Sequence, residues 1–160
     1  MKKKLLIVVL LLSAILLVGC GKDDEGGSSK KGVKGAKEAV TTLMDAYKKG
    51  DGKKACKAIL PAYMEDSFDS LDDCVEEFED EFSELDNFKY EIVEYEEVED
   101  EDYDEIVDFL VDEYDYSEKK IGKIYLYEVK VTYSMDEDDD EEKLEVYAIQ
   151  YDSKWYVVLD

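Results

Sequence analysis

Tyrosine and carboxylate are the two functional groups that this 160-residue sequence supplies in quantity, with 13 Tyr and 44 Asp plus Glu. With so many of both, a Tyr–carboxylate pair arises by chance and by itself signals no catalysis. No acid stands isolated in an apolar run that would raise its pKa toward neutrality, so no catalytic residue is assigned. Tyr47, Tyr125, Tyr127, Tyr133 and Trp155 fall where they either line a pocket or pack with their polar ends at the surface. Neither His nor Arg occurs. This excludes a Ser-His-Asp triad, a Cys-His pair, an imidazole metal ligand and a bidentate guanidinium clamp. Two acidic stretches open like calcium loops, Asp100, Asp102, Asp104 and Asp136, Asp138, Asp140. Both carry Glu (Glu105, Glu141) where the loop needs Gly, and Val111 and Tyr147 where it needs its bidentate Glu. No metal and no cofactor are expected, and a net charge of −24 opposes binding to nucleic acid.

The sharpest motif lies at the N-terminus. Lys2, Lys3 and Lys4 precede fourteen apolar or small residues, Leu5 to Val18. As a helix these rise only about 21 Å, against a hydrocarbon core of about 30 Å, which suits a secretory segment better than a membrane span. The run ends in Leu17, Val18, Gly19 and Cys20, which resembles the lipobox of bacterial lipoproteins. The resemblance implies a signal peptide over 1–19 and lipid attachment at Cys20. The chain would then be held by a diacylglyceryl anchor on the extracytoplasmic face of the cell membrane. Residues 20–35, rich in Gly, Ser, Lys and Asp, read as a flexible tether. With Cys20 acylated, Cys56 and Cys74 remain, an even pair in a disulfide-permissive compartment. They form one bridge or stay as two buried thiols.

The elements that position these residues follow from periodicity. Ala36, Val40, Leu43 and Tyr47 make the apolar stripe of a helix over 36–49, closed by Gly50, Asp51 and Gly52. A second helix runs over 53–60 until Pro61 breaks or bends it. A third, over 70–85, carries Leu71, Cys74, Val75, Phe78, Phe82 and Leu85 on one face. Residues 89–98 read as a strand with imperfect alternation. Tyr103, Ile106, Val107, Leu110 and Tyr114 return to helical spacing over 103–115. From Lys123, Tyr125, Tyr127, Val129, Val131, Tyr133 and Met135 alternate on one face of a strand. Residues 136–142 read as a polar hairpin tip, 144–151 as the return strand, and Trp155 to Leu159 as the last strand.

This order predicts an α+β domain over 36–160, with N-terminal helices packed on a curved antiparallel sheet of about four strands. Ala46, Tyr47, Lys48, Lys49, Gly50 and Asp51, with the terminal run from Asp152 to Leu159, resemble the cone-shaped nuclear transport factor 2-like (cystatin-like) superfamily. Some members are isomerases, dehydratases or cyclases that work inside the cone. Charge is segregated along the chain. Residues 30–57 hold nine Lys against three acids, and residues 65–118 hold 27 acids against Lys89 alone. Such runs read as solvated surface, or as a two-faced domain with basic helices near anionic headgroups and an acidic body that attracts a basic protein or peptide. The expected function is a non-catalytic binding module at the cell surface. The alternatives are an envelope structural or protective lipoprotein and, less favoured, an isomerase- or dehydratase-like enzyme. An open apolar cone would indicate a ligand pocket, and a filled one would indicate protein interaction or structure.

Overall fold

A computed structural model describes residues 29–135 and 138–159. The signal segment, the lipobox with Cys20 and the first part of the tether lie outside the described residues. The period-two run beginning at residue 121 builds the longest strand, and the others assemble on it. β1 (Asp86–Glu97), β2 (Ile121–Met135), β3 (Asp138–Tyr151) and β4 (Lys154–Leu159) pair antiparallel in the order β1-β2-β3-β4. The sheet is curved and open, and four of the helices precede it. Tyr125, Tyr127, Val129 and Val131 are buried on one face, while Met135 at the end of β2 stays 41% exposed. The imperfect alternation of β1 has a cause. Its register shifts between Ile92 and Glu94, leaving Val93 unpaired as a bulge.

The β2–β3 pairing continues to Met135 opposite Asp138, so residues 138–142 belong to a strand rather than to a hairpin tip. Side chains support these acids across the pair. Lys130 meets Glu141, the Tyr133 hydroxyl donates to Glu142, and Ser134 donates to Asp139. Cross-strand partners of this kind override the low strand propensity of Asp and Glu.

The helices also differ from the sequence pattern at their edges. α1 spans Ser29–Lys49, so residues 29–35, expected to belong to a flexible tether over 20–35, are helical. Glycine in that stretch reads as linker, but here it permits close packing. A Cβ at Gly35 would collide with the indole of Trp155, and one at Gly32 would lie 3.3 Å from the Tyr125 hydroxyl. α2 (Gly52–Ala58) is capped by Asp51, whose carboxylate accepts from the Lys54 N–H at 3.0 Å. It ends before Ile59, which is extended and bridges Val157, while the Leu60 N–H donates to the Val157 carbonyl. Pro61 then starts a helix that periodicity did not reveal, α3 (Pro61–Ser67), at the position where a missing N–H costs nothing. α4 (Leu71–Ser83) is capped by Ser70. α5 (Asp100–Tyr114) links β1 to β2 through a single 3-10 turn at Glu118–Lys120. No helix among the described residues is long and apolar enough to cross a membrane.

Apolar packing occupies both faces of the sheet. Against one face lie Ala36, Val40, Leu43 and Met44 of α1, with Cys56 of α2 and Cys74, Phe78 and Phe82 of α4. Against the other lie Val107 and Leu110 of α5, with Leu60, Tyr116, Ile121, Ile124 and Ile149. Cys56 and Cys74 form a disulfide between α2 and α4, Cα to Cα 6.2 Å, and both residues are buried. Closing a loop of this length stabilises a fold by about 3 kcal/mol in the chain-entropy treatment. Replacing both cysteines by Ala should therefore lower Tm by roughly 10 °C or more. An unchanged melting curve would show that the bridge adds nothing to packing.

Candidate functional site

The five aromatic residues expected to line a cone pocket do not gather on one cavity. Tyr47 is enclosed by Phe78, Phe82 and Phe88, with ring centroids 5.9, 4.5 and 5.7 Å away. Tyr127 is fully buried beneath α1, stacked on Tyr95 at 5.4 Å, and its hydroxyl donates to the Val33 carbonyl at 3.3 Å. Tyr125 is buried beside it and donates to Glu97 at 3.0 Å. Tyr133 lies toward the far end of β2, bonded to Glu142 at 2.7 Å. Trp155 packs 5.8 Å from Tyr125. The sheet face that carries Tyr125 and Tyr127 is covered by α1, whose Gly32 and Gly35 let the helix settle closely on Tyr125 and Trp155.

A cleft of about 860 Å³ remains where the start of α1, the end of β1 and the start of β2 meet. Of the five expected residues only Trp155 lines it, together with Gly32, Glu97, Val98, Glu99, Asp100, Tyr103, Gly122, Lys123 and Gln150. Glu97 is the hub of its polar wall. Its carboxylate accepts from the Lys123 ammonium and from the Tyr125 hydroxyl, and the hydrogen bond to Glu97 raises the pKa of Lys123 above its ordinary value. Tyr103 closes the opposite side by donating to the Gly122 carbonyl at 2.9 Å. Asp100 begins α5 with φ +54, a conformation that Asp tolerates better than most residues. Nothing in the spacing of Glu97, Tyr103 and Lys123 reveals this meeting, since it depends on the β1–β2 register and on where α5 begins.

One acid elsewhere departs from the sequence expectation. Glu81 of α4 has its pKa raised by partial burial and by the neighbouring Glu77 and Glu84, and it bears electrostatically on Tyr47 and Tyr133. No cleft described here is lined by these three groups. Asp45 shows the opposite effect, its pKa lowered by the hydrogen bond from Tyr90 and then by Lys49. The calcium-like stretches give no cage. Asp100, Asp102 and Asp104 belong to the first turns of α5, Asp138 and Asp140 to β3, and Asp136 lies outside the described residues. Among the described residues no group of three acidic or thiol ligands could hold a metal ion.

The strongest electrostatic feature is an unpaired one. The ion pairs among the described residues join Lys34–Glu38, Lys49–Asp45, Lys120–Asp152, Lys123–Glu97, Lys130–Glu141 and Lys143–Glu128, and none of them involves α4 or α5. On α4, Asp72, Glu76 and Asp80 repeat at four-residue spacing, as do Asp104, Asp108 and Asp112 on α5. Like charges at this spacing repel. Tm should rise as NaCl increases from about 0.01 to 0.1 M, where the Debye length falls from about 30 to 10 Å. Calcium or magnesium at matched ionic strength should add little, and a rise of many degrees at micromolar calcium would reveal a metal site.

Tyrosine ionisation gives a second test. Tyr47, Tyr90, Tyr103, Tyr114, Tyr116, Tyr125 and Tyr127 are raised chiefly by burial, and Tyr133 chiefly by its bond to Glu142. Tyr90 and Tyr133 reach about 12. The unfolded chain releases these protons near pH 10, so their contribution to stability is complete below about pH 10 and is lost as pH climbs toward the folded values. Tyrosinate absorbance should lag that of the denatured chain and then appear together with cooperative alkaline unfolding. Simple titration of all tyrosines near pH 10 in the folded protein would contradict the packing described here.

Compared with protein-family models, with curated proteins and with solved structures, the chain matches none of them.

Proposed function

We propose that the chain is a lipoprotein anchored through a diacylglyceryl group on Cys20 to the extracytoplasmic face of the cell membrane, with a domain that acts as a non-catalytic interaction module of nuclear transport factor 2-like build. The observation that carries the reading is the covered sheet face, where Tyr125 and Tyr127 are 1% and 0% exposed against α1. An enzyme of the resembled superfamily needs that space for substrate. Recognition then falls to the outer surface, where α4 and α5 hold rows of carboxylates without lysine partners among the described residues. Such a surface favours a basic protein or peptide through long-range attraction that salt weakens.

Two measurements test the two halves of this reading. Cys20→Ser should abolish fatty-acid labelling and move the protein out of the membrane fraction, and continued labelling would refute the anchor. A lysine-rich peptide should bind in a salt-sensitive manner. That binding should weaken when Asp72, Glu76 and Asp80 are changed to their amides together with Asp104, Asp108 and Asp112. Equal affinity in this variant would favour the envelope structural or protective reading.

A further inference from the structure

α1 begins nine positions after Cys20, and a linker of that length spans at most about 30 Å when fully extended. The first turns of α1 therefore stay close to whatever holds Cys20. Those turns are basic. Lys30 and Lys31 open the helix, and Lys34 and Lys37 follow at helical spacing. Lys34 and Lys37 are exposed, with the Lys34 side chain 78% accessible. Together with Thr41, Thr42 and Glu38 they line a shallow groove of about 510 Å³ on the outward side of α1. Glu38 is the one acid in the first half of the helix, and it lies 3.8 Å from Lys34. The acidic helices do not cancel this patch. α4 meets α1 at Tyr47, more than two turns beyond Lys37. α5 packs on the other face of the sheet, and Glu97, beside Gly32, is taken up by Lys123.

We infer that the lysine face of α1, Lys34 and Lys37 foremost, docks on an anionic phospholipid leaflet, the one that carries the Cys20 acyl chains. This rests on the lipoprotein reading above. Lysines within a Debye length of an anionic leaflet are attracted to its headgroup phosphates, and the groove adds the hydroxyl of Thr41 as a donor. Lipid chains and a basic patch together form a two-signal anchor. The same contact orients the domain. With α1 against the bilayer, the carboxylate rows of α4 and α5 are repelled by the leaflet, which favours orientations that leave them to a basic partner.

The test uses the mature polypeptide, residues 20–160 with Cys20→Ser, which keeps every described element but has no acyl chains. Sedimentation with phosphatidylcholine vesicles should occur only when phosphatidylglycerol is included, and it should fade with salt. Lys34→Gln with Lys37→Gln should weaken it by about tenfold or more, while Lys53→Gln with Lys57→Gln on α2 should leave it nearly unchanged. In vesicles bearing the acylated chain, Lys34 and Lys37 should react with an amine-acetylating reagent several-fold more slowly than Lys53 and Lys57. Failure to sediment with phosphatidylglycerol, equal loss in the α2 control, or equally tight binding of soluble polyphosphate would overturn the inference. Fatty-acid labelling of Cys20 is read separately, so loss of the anchor and loss of the lipid-facing patch are distinguishable.

Discussion

Burial of the β2 face under α1 is the contact on which the rest of the structure depends. Tyr125, Tyr127, Val129 and Val131 form one side of it, and Ala36, Val40, Leu43 and Met44 form the other. Two large aromatic rings at the centre require the helix backbone to come close, and glycine at 32 and 35 allows it to do so. α2 and α4 are then added around the edge of this contact, joined by the Cys56–Cys74 bridge. The chain between α2 and α3 is drawn to β4 through Ile59 and Leu60. That link carries Leu60 into the second apolar cluster, beneath α5.

The same contact makes the sheet face beneath α1 core rather than cavity. No charged side chain among the described residues is buried, so the carboxylates of these residues keep contact with solvent. Folding must proceed against that self-repulsion, which apolar packing on both faces of the sheet and a covalent bridge both oppose. The tyrosines reconcile the two demands. Their rings contribute apolar area, and hydroxyls such as those of Tyr90, Tyr103 and Tyr116 reach a carboxylate, a carbonyl and a backbone N–H at the margin of the core.

Charge segregation that looks like a simple sequence bias becomes directional once folded. The basic residues at the start of α1 and the acidic residues of α4 and α5 occupy different helices, with α4 meeting α1 at Tyr47, toward the other end of α1. Under the proposed anchoring, Cys20 precedes the basic helix by nine positions. Under that reading, membrane attachment and partner binding would use opposite signs of charge.

The sequence by itself determined the element types, the α+β class, the buried face of β2, the pairing of Cys56 with Cys74 as one of two readings, and the lipobox resemblance at Cys20. These rest on local periodicity and on residue counts, which the chain carries whatever its tertiary partners. The tertiary structure decided what long-range contact controls. It made residues 29–35 helical because glycine there serves packing against Trp155 and Tyr125. It turned Pro61 from a break into a helix start because Ile59 and Leu60 are held by β4. It extended β3 through residues 138–142 because Lys130, Tyr133 and Ser134 stand opposite. It also dispersed Tyr47, Tyr125, Tyr127 and Tyr133 into packing and left Glu97, Tyr103 and Lys123 around the cleft. Side chains from β1, α5 and β2 meet there only through strand register, and spacing along one chain does not encode a register between distant strands.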